Sequence, residues 1–281
     1  MAGAIIRGIF LYNDKIINGL IDCLVFIKFI YMLEILSIMV DFKHVLALKP
    51  YHILAKPEDI SDKVLVAGDP GRVKKLSRLL DKPRLVNEHR GYLVYTGYYN
   101  DSKISIACHG IGAPSAAIVF EELYMLGARI IIRLGTSGGL KREIEPGDIV
   151  IPVGAAHIGG GTIEMYVGDT IFPAVADPEI VLMLEKFFKE NEFNVWRGIV
   201  ASSDAFHSEE EYSRKWVRQN VIAVEMECAT LFTLSWLKGF RSGAALLIID
   251  NLATGSTIKG EKRSVLEKKA GEIVLNVLAK I

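Results

Sequence analysis

From Lys63 onward, short apolar runs rich in β-branched residues alternate with longer amphipathic segments. This is the pattern of an α/β fold with a largely buried sheet. The apolar runs predict strands at 63–67, 92–98, 103–108, 129–134, 148–153, 198–202 and 244–250. Helical periodicity predicts helices over 72–80, 115–126, 178–190, 209–219, 225–238 and 261–281. No internal repeat or Pro/Ser-rich linker divides Asp41 from Ile281. That stretch therefore reads as a single domain, a mixed twisted β-sheet flanked by helices.

Residues 1–40 break this pattern, because 16–40 is strongly apolar apart from Asp22, Lys28 and Glu34. A spanning helix needs about 20 apolar residues, and central charges cost roughly 2.5–3.5 kcal/mol each on insertion. No membrane span is expected. The segment also lacks the basic start, short apolar core and cleavage site of a secretory signal. Met39 opens a sequence, Val40-Asp41-Phe42-Lys43, that reads as an ordinary soluble N-terminus. Residues 1–40 are thus an apolar extension, either a misplaced start or an amphipathic interaction helix.

Lys plus Arg and Asp plus Glu number 33 each, so no global field draws the chain to nucleic acid or an anionic membrane. The expected partner is small. The three cysteines, Cys23, Cys108 and Cys228, form neither a disulfide framework nor a Cys-x-x-Cys pair, and His157 and the other histidines lack metal-ligand spacing. A cytoplasmic protein without a metal is the expectation.

Five segments offer chemistry. In Val64-Leu65-Val66-Ala67-Gly68-Asp69-Pro70-Gly71-Arg72 a buried strand enters a helix through a glycine-rich turn, which suits an anion, and Arg72 adds a planar fork. A tight turn alone would look the same. In Ile130-Ile131-Ile132-Arg133-Leu134-Gly135-Thr136-Ser137-Gly138-Gly139 an arginine lies inside an apolar strand just before a Gly/Thr/Ser turn. Such an arginine faces either a bound phosphate or a structural carboxylate. Val224-Glu225-Met226-Glu227 puts two carboxylates at a helix start, as dipole complements or as acceptors for sugar hydroxyls. Asp250 ends an apolar strand, where burial favours the neutral acid, although a turn cap is the alternative. His109-Gly110-Ile111-Gly112-Ala113-Pro114-Ser115 is similar to a dinucleotide fingerprint but lacks its third glycine and its ribose acid, which keeps a nicotinamide oxidoreductase only as a minor competitor.

In order along the chain, Tyr51-His52-Ile53, Gly68 to Arg72, His89-Arg90-Gly91, His109 to Gly112, Arg133 to Thr136, Ser203-Asp204-Ala205-Phe206, Glu225-Met226-Glu227 and Asp250-Asn251 resemble the nucleoside phosphorylases. That family, with trimeric to hexameric members, includes bacterial-type purine nucleoside phosphorylase, uridine phosphorylase and archaeal 5′-methylthioadenosine phosphorylase. The archaeal enzymes resemble this chain most. The resemblance implies phosphorolysis of a nucleoside, most naturally a purine nucleoside, with inorganic phosphate as co-substrate and no cofactor. It implies that Gly68, Arg72, Arg133 and Thr136 bind phosphate and that Arg90 reaches in from a neighbouring subunit. His52 would also come from the neighbour, near the ribose 5′ position. Met226 and Glu227 would contact ribose, Phe206 would stack on the base, and Asp250 would be the general acid. Homo-oligomers up to a trimer-of-dimers hexamer, with shared sites, are implied.

Departures and alternatives accompany the resemblance. Purine enzymes have a serine before the acid where this chain has Ile249, and Arg263 lies near the place of an arginine that partners the acid in some bacterial members. Uridine phosphorylases share the threonine of Thr136, yet the Gln and Arg that read a pyrimidine are missing from 207–212. Nucleosidases of this fold lack the phosphate arginines, and a non-catalytic nucleotide sensor would need only the pocket.

Overall fold

A computed structural model describes residues 49–281 and, ahead of them, Lys28 alone. The expectations for the apolar extension and for a start at Met39 lie outside the described residues. Pro50–Ile281 forms one compact α/β unit. No described helix is long and apolar enough to cross a membrane.

The strands are β1 (Lys63–Ala67), β2 (Asp81–Asn87), β3 (Val94–Tyr99), β4 (Ser102–Cys108), β5 (Ile130–Gly139), β6 (Ile149–His157), β7 (Val195–Ser202), β8 (Ala223–Glu225) and β9 (Arg241–Asn251). The helices are α1 (Pro70–Leu76), α2 (Ala113–Met125), α3 (Gly161–Val167), α4 (Pro178–Glu190), α5 (Glu209–Arg218), α6 (Cys228–Lys238) and α7 (Gly260–Lys280). The sheet is mixed, in the order β2-β3-β4-β1-β5-β8-β7-β6-β9. β5 forks it: β1 pairs with residues 130–133 of β5, and β8 takes over beside Gly138 and Gly139. Along its other side β5 pairs in parallel with β9 over its whole length. Because β9 also pairs with β6, the strands β5-β8-β7-β6-β9 close into a ring. The core comprises the inner strand residues, such as Ile131 and Ile132, and the apolar faces of α2, α4, α6 and α7.

Three expectations are corrected. Residues 135–139 were expected to form a turn, but they continue β5, because β9 supplies ladder partners as far as Gly139. Glu225 ends β8 and the helix starts at Cys228, so the two glutamates precede the helix rather than open it. The helix expected over 72–80 starts at Pro70 and tightens into a 3-10 turn at Ser77–Leu79. Three elements were not anticipated: β2, β8 and α3. β2 is an edge strand whose Asp, Lys, Pro and Arg leave no apolar alternation, the usual way an edge is kept from pairing further.

Candidate active site

The segments carrying chemistry converge where β1, β4, β5, β7 and β9 end, the position open α/β sheets use for ligands. A cleft of about 1470 Å³ opens there. Gly68, Arg72, Arg133, Thr136, Phe206, Met226, Glu227 and Asp250 all line it.

Close backbone approach builds one wall. A Cβ at Gly68 would lie 2.8 Å from the Gly110 carbonyl oxygen and 3.3 Å from Cε1 of His109, so the turns after β1 and β4 meet only because residue 68 has no side chain. The start of α1 is not a free anion cradle. Pro70 lacks an N–H, and the Gly71 N–H donates to the Asp69 carboxylate at 2.7 Å.

Arg72 is 4 % exposed. Its Nη2 donates to Glu267 of α7 at 3.0 Å and its Nη1 to the Leu134 carbonyl at 3.3 Å, while Nε has no partner among the described residues. Burial lowers its pKa, and Glu267 opposes that shift. Arg133, also 4 % exposed, folds back over β5, where a Cβ at Gly135 would collide with its guanidinium. Its Nη1 lies 3.1 Å from Glu225 Oε2, its Nη2 pairs with Glu227, and its Nε is unpartnered among the described residues. Burial works against the charge, but the two carboxylates outweigh it and hold the guanidinium above its usual range. The structural-carboxylate alternative raised for Arg133 is thus realised, and Arg72 is also paired with a carboxylate, yet each arginine still lines the cleft.

The two glutamates divide the work. Glu225 accepts from the Glu227 N–H at 2.8 Å, from the Cys228 N–H at 2.9 Å and from Ser202 Oγ, which seals the start of α6. Glu227 pairs with Arg133 and accepts the Gly112 N–H at 2.7 Å. Burial pulls its carboxyl up, but Arg133, His109 and that N–H outweigh it, leaving a net lowering. His109 is fully buried with neither ring nitrogen partnered among the described residues, and burial depresses its pKa to about 4.

Asp250 sits at a β-bulge: Ile248 faces Ser137 and Asp250 faces Gly138, so Ile249 is the extra residue. The bulge breaks strand alternation, and both Ile249 and Asp250 line the cleft. Burial raises the Asp250 pKa, against an opposing pull from Arg263. The next residue anchors this end of β9. Asn251, 1 % exposed, donates to the carbonyls of Lys141 and Ile144 at 2.8 and 2.6 Å and accepts from the N–H groups of Ala253 and Thr254. Arg263 also lines the cleft, but its Nε donates to Glu267 at 2.9 Å.

His52 and Arg90 do not belong to this lining; they sit together elsewhere on the unit. His52 Nδ1 lies 2.7 Å from Glu122 Oε1, and the same carboxylate collects the N–H groups of Tyr51, His52 and Ile53. Exposed Arg90 adopts φ 55° and lies over the Tyr51 ring at 5.6 Å. Sequence reasoning missed Glu267 and Glu122 and, though it singled out Asp250-Asn251, gave Asn251 no role. For Glu267 a signal existed, a carboxylate on the buried stripe that continues through Ala270, Gly271, Val274 and Leu278.

Residues 62–279 match the family model described as the phosphorylase superfamily. A guanosine phosphorylase of Halorubrum lacusprofundi is 36 % identical over 227 residues, covering 80 % of this chain and 93 % of that protein. A uridine phosphorylase of Thermococcus kodakarensis is 38 % identical over 77 % of this chain and 83 % of that protein. A DeoD-type purine nucleoside phosphorylase of Clostridium beijerinckii is 31 % identical over 82 % and 98 %. The crystal structure of uridine phosphorylase from Vibrio fischeri superposes with a TM-score of 0.74 at 27 % identity, covering 84 % of this chain and all of that one. With its mixed sheet, strand-end cleft and paired arginines, the chain belongs to the phosphorylase superfamily and is a nucleoside phosphorylase, a pentosyltransferase acting on a nucleoside and phosphate.

Proposed function

We propose that the preferred substrates are purine nucleosides (adenosine, inosine, guanosine or 5′-methylthioadenosine), cleaved to free base and ribose 1-phosphate or its 5-methylthio analogue. Asp250 carries this reading: its acid lines the cleft with a raised pKa, as a proton donor to purine N7 needs. Gly68, Arg72, Arg133 and Thr136 hold phosphate, Met226 and Glu227 hold ribose, and Phe206 stacks on the base. A phosphate oxygen bonds to C1′ as the C1′–N9 bond breaks. The bond pair leaves with the base, and the Asp250 proton moves to N7. Arginines beside the phosphate contribute proximity and charge stabilisation. No metal or organic cofactor enters the scheme.

In this reading the sites are shared within a homo-oligomer, up to a trimer-of-dimers hexamer. Arg90 and His52 of one subunit complete the cleft of the next. Arg90 is exposed on the surface of the unit, where a neighbouring subunit can be reached.

The names of the Thermococcus and Vibrio relatives favour a second reading, uridine phosphorolysis. Incubating the protein with purine nucleosides and with uridine, with and without phosphate, and separating the released bases by chromatography decides between the two. Base release from guanosine, inosine or methylthioadenosine that requires phosphate and exceeds release from uridine is the expected result. Preference for uridine over every purine nucleoside would overturn the purine reading.

A further inference from the structure

We propose that Glu267 is the positioning residue of Arg72, holding its guanidinium from behind so that its remaining N–H groups face the phosphate. The proposal rests on the reading of Arg72 as a phosphate ligand.

The geometry places the carboxylate on the side of Arg72 away from the substrates. Arg72 lines both the main cleft and a second cavity of about 500 Å³ between α1 and α7, whereas Glu267 lines only the second. Glu267 Oε1 accepts from Arg72 Nη2 at 3.0 Å and from Arg263 Nε at 2.9 Å, so one oxygen ties together two arginines of the cleft. Both members of the Arg72 pair are buried, at 4 and 8 % exposure. α7 comes this close because residue 271 is glycine, where a Cβ would overlap the Leu76 side chain of α1.

Two effects of Glu267 on phosphate oppose each other. As an anion near an anion site it repels, and as an anchor it fixes a long, rotamer-rich side chain in one orientation. Orientation should prevail. The carboxylate is absent from the lining of the cleft, and a planar fork recognises phosphate only when correctly turned. At metal sites, outer partners that orient a ligating residue typically matter by one to two orders of magnitude, and the same orienting logic applies to a guanidinium turned toward an anion.

The test is phosphate saturation at fixed nucleoside for Glu267→Ala, Glu267→Gln, Arg72→Ala and the Arg72→Ala/Glu267→Ala double variant, with folding checked by circular dichroism. Glu267→Ala is expected to raise the phosphate KM about tenfold while leaving the nucleoside KM in place. Glu267→Gln, which keeps an acceptor for Nη2, should fall between Ala and wild type, and it carries the test if the Ala variant does not fold. In the Arg72→Ala background the Glu267 change should add nothing. A normal or lowered phosphate KM in the Glu267 variants, or the same increment without Arg72, overturns the proposal while leaving Arg72 as a phosphate ligand. A normal phosphate KM in Arg72→Ala overturns both readings.

Discussion

Arg133 of β5 and Glu227, the residue before α6, form a buried ion pair that joins the proposed phosphate and ribose ends of the cleft. Glu225 flanks the same guanidinium, so one cation balances two buried carboxylates. Arg133→Ala should therefore do more than raise the phosphate KM. Stranding buried carboxylates should cost about 3–5 kcal/mol of stability, whereas Arg133→Leu combined with Glu227→Leu should cost less than the two single changes summed. Urea denaturation of the four proteins measures this, and additive losses would mean that the pair is not coupled.

Asp250→Ala should slow turnover of inosine or methylthioadenosine roughly 10²–10⁴-fold, the range of acid–base groups. A substrate such as 7-methylguanosine, already charged at N7, should be far less affected. Because burial raises the pKa of Asp250, more of it is protonated at a given pH than of an ordinary aspartate, and purine turnover should fall as pH rises through that pKa. The variant should lack this limb. Equal slowing of both substrates would assign Asp250 a structural or ribose-side role.

His109 should make the fold acid-sensitive. Its pKa is depressed from 6.5 to about 4, so at intermediate pH the unfolded chain binds a proton that the folded chain does not. Stability attributable to this group is intact above about pH 6.5 and is lost as pH falls toward about 4, by about 3 kcal/mol in all. His109→Leu should flatten this part of the pH dependence of unfolding. An unchanged slope between those limits would show that other groups govern it.

Mixing inactive Arg90→Ala protein with inactive Glu227→Ala protein, under conditions of subunit exchange, should restore part of the activity, since some clefts would then draw both intact residues from different chains. Hybrids that form, verified by mass, and remain inactive would exclude sharing at Arg90.

The strand-end chemistry was legible because each group lies within a few residues of the apolar run that positions it. Gly68 and Arg72 follow β1, Thr136 lies within β5 and Asp250 nearly ends β9, so reading the runs located the cleft. Partners from distant sequence were not legible. Glu267 lies 195 residues from Arg72 and Glu122 lies 70 from His52, and no periodicity carries that information. Glycine-rich 135–139 misled for a different reason: weak strand formers were held extended by β9 along the whole run and by β8 at Gly138 and Gly139. β8, only three residues long, is too short to show alternation.

The ladder between β5 and β9 also works as a fixed ruler. Arg133 is registered to Ala244 and Gly138 to Asp250, so the backbone distance from the proposed phosphate arginine to the proposed acid is graduated in peptide units and held by main-chain hydrogen bonds. A slip of one residue in either strand would displace every graduation together. Phe206, His207 and Ser213 reach the cleft from outside that ladder, in the segment after β7. With Phe206 proposed to stack on the base, substitutions there should retune which base is accepted while the backbone span between Arg133 and Asp250 stays constant.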